Sequence, residues 1–264
     1  MGDYEVRFGG LRRLFAADGL ERLRRAHVCV VGLGGVGSWA AEALARSGIG
    51  ALTMVDLDDV CVSNVSRQLH ALSGEIGRPK VEVMARRIRD INPECAVHAR
   101  HAFFTAANAG DILRTRFDYV LDAVDRPAKK CLLIASCRDQ AIPVLVVGGA
   151  GGRRDPTALK VADLAFSSHD RLLVQVRSEL RSEFGFPRGD IPFGVDCVYS
   201  PEPVVYPLTD GAVGARPDSG ASLRLDCESG YGTACFVTGT FGFVAAGHIV
   251  QRIAGTTDGP KKPT

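Results

Sequence analysis

The chain has 264 residues, 46% hydrophobic and 23% charged, with 32 basic side chains against 30 acidic ones. It is long enough for one large or two small domains, and its composition is typical of a soluble globular protein. A net charge of +2 excludes a polybasic protein that binds nucleic acid through its overall charge. Any contact with RNA must therefore come from a local patch.

The N-terminal sequence and the cysteines bear on the cellular compartment. MGDYEVRFGGLRRLF is too charged for a secretory signal, which favours a cytoplasmic protein. The eight cysteines contain no C-x-x-C pair. We therefore expect no zinc site and no disulfide framework.

The first half of the chain alternates apolar runs with helical segments. Strands are predicted at 28–32, 51–56, 96–103, 119–125 and 142–152, and helices at 37–46, 79–93, 106–114 and 128–141. This order predicts an α/β, Rossmann-like fold with a mostly parallel sheet and helices on both faces. Ligands of such sheets bind at the carboxyl ends of the strands.

The second half is less regular. Turns and a basic helix at 171–184 lead into a stretch rich in proline and glycine, and then into an apolar segment. We predict a nucleotide-binding domain at 1–152, a C-terminal extension at 153–254 packed on the same core, and a disordered tail at 255–264. The apolar run 234–250 is shorter than the roughly 20 residues of a membrane span. It favours a buried helix in the core or in a dimer interface, with membrane association as the alternative.

A glycine motif follows the first predicted strand and precedes a helix. It has the form G-x-G-G-x-G and consists of Gly32, Gly34, Gly35 and Gly37. The first glycine allows a tight turn, the second lets the backbone approach a phosphate, and the helix start offers free N–H groups. Asp56 ends the second strand, where an acidic side chain usually binds ribose hydroxyls. These features fit NAD and ATP equally well.

The residues after Asp56 favour ATP. The sequence DLDDVCVSNVSRQLH, at 56–70, carries polar side chains for which a dehydrogenase has little use: Asp58, Asn64, Arg67 and Gln68. Arg67 and Lys80 are cations suited to a triphosphate and to the charge of adenylyl transfer. Asp125 follows another strand, where a carboxylate for Mg²⁺ belongs.

An ordered set of motifs, VVGLGGVGS, DLDDVCVSNVSRQ, GRPKVE, INPE and DAVDR, resembles the ubiquitin-activating-enzyme-like adenylyltransferases, the group of ThiF and MoeB. The resemblance covers about residues 5–150. It implies that Asp56 binds ribose, that Asn64, Arg67, Gln68 and Lys80 surround the phosphates, and that Asp125 binds Mg²⁺. Arg67, Lys80 and Asp125 would then be catalytic. Simple turn capping for Asn64, Gln68 and Asp58, and plain surface charge for Arg67 and Lys80, remain the alternatives.

The chain departs from this family in two places. It lacks the two C-x-x-C pairs that hold structural zinc in many members. The family's R-Y-x-R-Q start appears here as RFGGLRRLF, with Arg7 retained and Gly10 at the second arginine. In the family an arginine of this region reaches the partner subunit's ATP, so Arg7 and Arg13 are the candidates for that role.

Further stretches, among them RFGGLRRLF, INPEC, GGAGGRRDPT, FGVDCVYSPE and LDCESGYGTA, resemble one branch of the family, the tRNA threonylcarbamoyladenosine dehydratases. This resemblance spans nearly the whole chain. It implies a cytoplasmic homodimer that uses ATP and Mg²⁺ to activate the carboxylate of the modified adenosine beside the anticodon, most simply as an acyl-adenylate. An internal nucleophile then closes a ring. Whether a monovalent cation binds in addition to Mg²⁺ is not determined by the resemblance.

Two sets of residues in the second half are candidates for further roles. Cys197 and Cys227 are flanked by acidic residues and could accept an acyl group, although an intramolecular attack requires no protein nucleophile and a neighbouring carboxylate weakens a thiolate. A buried or structural thiol is the alternative for both. The candidate tRNA contacts are Arg153, Arg154, Arg171, Arg177 and Arg181. A solvated helix face is the alternative for these arginines.

Two competing functions remain at this point. One is an adenylyltransferase that activates the C-terminus of a ubiquitin-like sulfur carrier, against which the missing zinc pairs argue. The other is a non-catalytic nucleotide-binding module that docks partners such as a cysteine desulfurase system. The presence of Arg67, Lys80 and Asp125 argues against it, since a non-catalytic scaffold does not require the residues expected to bind the phosphates and Mg²⁺.

Overall fold

The computed structural model describes residues 2–218 and 231–255. Within them a seven-stranded sheet has the order β3-β2-β1-β4-β5-β7-β6. Its strands are β1 (His27–Val31), β2 (Ala51–Val55), β3 (Ala96–Arg100), β4 (Tyr119–Asp122), β5 (Val144–Val147), β6 (Lys160–Asp163) and β7 (Asp196–Tyr199). A separate antiparallel pair is formed by β8 (Tyr206–Pro207) and β9 (Val213–Gly214).

The helices of the described segments flank this sheet. They are α1 (Asp3–Arg25), α2 (Gly37–Arg46), α3 (Lys80–Ile91), α4 (Ala109–Leu113), α5 (Pro127–Asp139), α6 (Arg171–Glu183) and α7 (Cys235–Ala254). The predicted α/β fold with a mostly parallel sheet is confirmed. None of the helices in the part of the chain that the structure describes is long and apolar enough to cross a membrane.

Alternating side chains of β1 enter two different cores. Val28 and Val30 pack in a cluster with residues of α2, α3 and α7. Cys29 and Val31 pack in a second cluster with residues of α4, α5 and α6. Because successive residues of a strand point to opposite faces, a central strand that is buried on both faces reads as the continuous apolar run seen in the sequence.

The apolar helix α7 is a core element of the monomer. Val237, Phe241, Ala245 and Ile249 are fully buried. Glycine lets α7 come very close to α2, since a Cβ on Gly242 would lie 2.7 Å from the carbonyl oxygen of Val36. The described fold thus agrees with the predicted buried helix, and it places α7 directly behind the glycine loop.

The extension after residue 152 is less irregular than predicted. β7 pairs in parallel with β5, and β6 pairs antiparallel with β7, so the extension adds two strands to the sheet. The long helix α1 was not predicted either. It contains a break at Ala16, which has a φ of 61°. The predicted disordered tail lies outside the described residues, apart from Gly255, which ends α7 in a left-handed conformation.

Candidate nucleotide-binding site

The sheet order creates a crevice at the carboxyl ends of β1 and β4. The chain runs from β1 outward to β2 and β3, and then returns to β4 on the other side of β1. Ligands of doubly wound sheets bind at such a reversal. The glycine loop follows β1, and the loop at 123–126 follows β4. The two loops touch, because a Cβ on Gly32 would lie 2.8 Å from the carbonyl oxygen of Ala123.

The four glycines of the motif meet different surroundings. Gly32 has a φ of +92°, which L side chains rarely adopt, and a Cβ on Gly37 would lie 1.8 Å from the carbonyl oxygen of Gly32. A Cβ on Gly35 would lie 3.0 Å from Cγ2 of Thr238 in α7, whereas a Cβ on Gly34 would meet nothing within 4 Å. The fold therefore accounts for three of the glycines, and it leaves Gly34 to be explained by close approach of a ligand.

This difference predicts separable effects of two alanine substitutions. Gly34→Ala should leave the free energy of unfolding within about 0.5 kcal/mol of the wild type and should weaken ATP binding about tenfold, because the methyl group takes the space for phosphate. Gly35→Ala should lower the free energy of unfolding by about 1–3 kcal/mol, because it overpacks α7. Urea denaturation and calorimetric titration with ATP measure both. Equal ATP affinity in Gly34→Ala and the wild type would contradict this account.

Asp56 connects the end of β2 to the glycine loop. Its Oδ2 accepts a hydrogen bond from the backbone N–H of Leu33 at 2.6 Å, and its Oδ1 accepts one from the N–H of Asp58 at 2.8 Å. Burial raises the pKa of this carboxyl, while the charge of Lys80 and the two N–H groups oppose the increase. The carboxylate thus joins the glycine loop to the loop after β2, and its contact with a ribose stays a prediction.

Lys80 occupies the first turn of α3 and is almost fully buried. Its Nζ lies 2.9 Å from Oδ2 of Asp58, whose side chain is 56% exposed. The backbone N–H of Lys80 also donates to the carbonyl oxygen of Asp58 at 3.0 Å. The structure therefore brings Asp56, Asp58 and Lys80 together.

Arg67 is fixed through its backbone by two helices. Its carbonyl oxygen accepts hydrogen bonds from Nε1 of Trp39 in α2 at 3.0 Å and from Oγ1 of Thr238 in α7 at 3.3 Å. The guanidinium of the partly exposed side chain donates to the carbonyl oxygen of Ser63 at 2.7 Å. Asn64 caps the same turn, since its Oδ1 accepts from the N–H of Cys61 at 3.1 Å. Turn capping thus accounts for one of the Asn64 side-chain atoms.

His70 is a buried polar residue that sequence reasoning missed. The side chain is 1% exposed, and neither ring nitrogen has a hydrogen-bond partner in the described protein. Oε1 of the buried Gln68 also has no partner there. Burial, with the charge of Lys80, lowers the pKa of His70 to about 4. A histidine two residues after Gln68 gives no local signal in the sequence, because its burial depends on distant packing.

The depressed pKa of His70 predicts a loss of stability in acid. In the unfolded chain a histidine binds a proton below about pH 6.5, whereas folded His70 stays neutral until about pH 4. Stability should therefore fall as the pH drops from about 6.5 to 4, by up to about 3 kcal/mol from this group. Urea denaturation should show a smaller loss in His70→Gln than in the wild type, whereas the exposed His101→Gln variant should lose as much as the wild type. An identical pH dependence in His70→Gln would contradict the assignment.

Asp125 lies exposed in the loop after β4. In the described segments no group of three or more His, Cys, Asp or Glu side chains is arranged to hold a metal ion. Mg²⁺ is commonly held by one or two carboxylates together with phosphates and water, and does not need a complete protein cage. A single exposed carboxylate beside the glycine loop fits that pattern. Asp125 would hold Mg²⁺ only together with a nucleotide.

The structure contradicts part of the predicted tRNA surface. Arg153 is 4% exposed and donates to the carbonyl oxygens of Gly149 and Glu202, with Asp170 3.4 Å away. A buried guanidinium with these partners does not face a polyanion. The prediction was wrong for Arg153 because the loop after β5 folds inward, so that a residue next to the glycines of GGAGG is buried and not at the surface.

The other four arginines lie nearer the surface. Arg177 donates to Oγ of Ser167, and Arg181 donates to the carbonyl oxygen of Pro187 at 3.1 Å. Arg154 is exposed, and so is Arg171, whose guanidinium lies 5.4 Å from the ring centre of Tyr206. Arg154 and Arg171 therefore remain the most accessible candidates.

The structure contradicts a nucleophilic role for Cys197 and agrees with the alternative, a buried thiol. The side chain lies in β7 and is fully buried, and burial raises its pKa to about 12, with Asp170 and Asp163 adding to the increase. A thiol in this environment is neither ionised nor reachable. Cys227 lies outside the described residues.

The two candidate arginines of the N-terminal region both lie on α1. Arg7 forms an ion pair with Asp3 at 2.6 Å and donates to the carbonyl oxygen of Ile91 at 3.3 Å. Arg13 is exposed. Both arginines are exposed, and Arg7 differs in being held by these contacts within its own chain.

The chain resembles proteins of known activity over most of its length. A model of the ThiF family matches residues 10–263. The tRNA threonylcarbamoyladenosine dehydratase of Escherichia coli (strain K12) is 49% identical over 252 residues, which are 95% of this chain and 94% of that protein. The crystal structure of the E. coli dehydratase, TcdA, in complex with ATP aligns with a TM-score of 0.85 at 45% identity, covering 96% of this chain and 95% of that chain. The E. coli molybdopterin-synthase adenylyltransferase is 38% identical over 138 residues, which are 52% of this chain and 55% of that protein.

Proposed function

The chain belongs to the ThiF family, and from that premise we propose that it is an enzyme that dehydrates threonylcarbamoyladenosine in tRNA at the expense of ATP. The observation that carries the proposal is the 49% identity to the E. coli dehydratase over 95% of the chain. The crevice adds support, because a glycine loop, a buried lysine and an exposed aspartate meet where the strand order reverses.

The proposed chemistry begins with an unreactive carboxylate. The carboxylate of the modified adenosine attacks the α-phosphorus of ATP, pyrophosphate leaves, and an acyl-adenylate forms. An internal nucleophile of the same base then attacks the acyl carbon, and AMP leaves with the former carboxylate oxygen. The products are a cyclic base, AMP and pyrophosphate, so that one water has been removed from the base. Because the second step is intramolecular, the enzyme needs no thiol, which agrees with the burial of Cys197.

In this scheme the protein mainly positions reactants and neutralises charge. Lys80 and Arg67 face the phosphates, the free N–H groups of the glycine loop cradle them, and Asp56 accepts from the ribose. Asp125 would hold Mg²⁺, which when bound neutralises charge on the leaving pyrophosphate. Asn64 and Gln68 complete the nucleotide contacts in this proposal, although both side chains are buried in the described structure.

The wider arrangement is part of the same proposal. Residues 1–152 bind ATP, and residues 153–254 contribute to the tRNA and dimer surfaces, with Arg154 and Arg171 as phosphate contacts. The enzyme acts in the cytoplasm as a homodimer, in which Arg13, more than Arg7, reaches the partner subunit's ATP. A cysteine desulfurase system is a candidate partner, and a monovalent cation a candidate additional ligand.

The alternative is activation of a ubiquitin-like sulfur carrier. The similarity to the molybdopterin-synthase adenylyltransferase favours it, but that similarity spans only about half of each chain. Turnover of ATP separates the two. We expect AMP to form with tRNA that contains threonylcarbamoyladenosine and not with tRNA that lacks it. AMP formation that depends on a carrier protein and ignores tRNA would support the alternative.

A further inference from the structure

A fully buried ion pair lies beneath the loop that carries Asp125. Nζ of Lys130, in α5, lies 3.0 Å from Oδ1 of Asp122, the last residue of β4, and both side chains are 0% exposed. The same ammonium donates to the carbonyl oxygen of Asp122 at 3.3 Å. Lys130 is among the largest of the fully buried side chains in the described structure. Neither residue has a role in the nucleotide contacts proposed above.

Burial of this ion pair contributes little net stability to the fold, because both charges lose their hydration. The surroundings of the pair are apolar, since Val120, on the same face of β4, and Leu133 and Ile134, on the next turn of α5, are fully buried in one apolar cluster. Removing two charges from water costs more than burying apolar side chains of the same size, and apolar replacement of such pairs is often neutral or stabilising. Oδ2 of Asp122 has no hydrogen-bond partner in the described protein, and burial raises the pKa of this carboxyl against the effect of Lys130. The pair therefore calls for an explanation other than stability.

The pair connects the two ends of the loop at 123–126. Oδ1 of Asp122 accepts a hydrogen bond from the N–H of Val124 at 3.0 Å, which sets the first turn of the loop. Lys130 lies one turn into α5, directly after the loop. The N–H of Ala123 donates to the carbonyl oxygen of Val31 at 2.9 Å, and the carbonyl of Ala123 contacts Gly32. The position of Asp125 relative to the glycine loop thus depends on contacts anchored by Asp122 and Lys130.

We propose that Asp122 and Lys130 form a positioning pair, which holds the loop at 123–126 so that the Asp125 carboxylate faces the glycine loop at the distance that Mg²⁺ and a triphosphate require. This inference rests on the proposed function of Asp125. It predicts that the pair sets the affinity for Mg²⁺ in the presence of ATP. A pair that only stabilises the fold would have no such effect once stability is restored.

Three variants separate these roles. Lys130→Met leaves a buried carboxylate without its partner and should lower Tm by about 10 °C. Asp122→Leu/Lys130→Met removes both charges and should return Tm to within a few degrees of the wild type. Glu42→Gln/Arg87→Met is the control, because it removes an ion pair between α2 and α3 at 2.7 Å that has no contact with the loop. The control should leave the Mg²⁺ dependence unchanged.

The decisive readout is the Mg²⁺ dependence of ATP binding, followed by calorimetry without tRNA. In the Asp122→Leu/Lys130→Met protein we expect the half-saturating Mg²⁺ concentration to rise about tenfold, as for other residues that orient a metal ligand. ATP affinity in EDTA should be unchanged. Wild-type Mg²⁺ dependence in this protein would overturn the proposal. If it fails to fold, Asp122→Asn/Lys130→Met takes its place with the same two outcomes.

Asp125→Asn distinguishes this inference from the proposed function on which it rests. If Asp125→Asn leaves the Mg²⁺ dependence of ATP binding unchanged, the assigned role of Asp125 fails, and the positioning role fails with it. If Asp125→Asn raises the half-saturating Mg²⁺ concentration but the double variant does not, the positioning role alone is overturned.

Discussion

Replacement of Lys80 by alanine is expected to lower the rate of tRNA-dependent ATP turnover by about 10²–10³-fold and to leave the fold intact. The ammonium group is the buried cation of the crevice, and a charge held in place away from water contributes most when charge builds up in the transition state. The fold should tolerate the change, because Asp58, the partner of Lys80, has a side chain that is 56% exposed. Its carboxylate therefore stays hydrated after the lysine is removed.

The control for this substitution is Lys160→Ala. Lys160 begins the edge strand β6 and is exposed, so its removal takes away one positive charge far from the crevice. Turnover should be unchanged in this control, and circular dichroism should give the spectrum of a folded protein for both variants. Full activity in Lys80→Ala would exclude the proposed phosphate-binding role.

Asp125→Asn is the second substitution with a large expected effect. Turnover at saturating ATP should fall by about 10²–10³-fold, because a neutral amide is a much weaker ligand for Mg²⁺ than a carboxylate. Additional Mg²⁺ should restore part of the activity. Stability should change by less than about 0.5 kcal/mol, because Asp125 is exposed. Steady-state turnover over a range of Mg²⁺ concentrations measures the effect.

Asp111→Asn provides the matched control. Asp111 is also exposed, and it pairs with Arg114 at 2.8 Å on α4. We expect the same Mg²⁺ dependence as in the wild type. An Asp125→Asn protein that behaves like this control would remove Asp125 from the metal site and would reopen the non-catalytic scaffold as an alternative.

The sequence predicted the features of this fold that depend on neighbouring residues. The run from Val28 to Arg46 contains a buried strand, a glycine turn and a helix in one continuous segment, so local pattern was sufficient. Asp56 directly follows β2, Lys80 begins α3, and Asp125 lies in the short loop after β4, so the ends of these elements locate all three in the sequence. The topology of a parallel sheet then brings those ends to one edge.

The missed features depend on pairing between distant segments. β6 is a partly exposed edge strand, so its sequence carries no clear apolar alternation, and its identity comes from pairing with β7. Arg153 reads as a surface charge in sequence, but tertiary contacts with Asp170 and Glu202 bury it. The same holds for His70 and Lys130, whose burial no short motif reveals. For these residues the burial and the contacts are known only from the three-dimensional structure.

The most direct test of the central claim is mass spectrometry of nucleosides from tRNA that carries threonylcarbamoyladenosine. The tRNA is incubated with the protein, ATP and Mg²⁺, and in parallel with the Lys80→Ala variant or without ATP. We expect the modified nucleoside to lose the mass of one water only with the wild-type protein and ATP. An unchanged nucleoside, from protein that binds ATP and is fully folded, would contradict it.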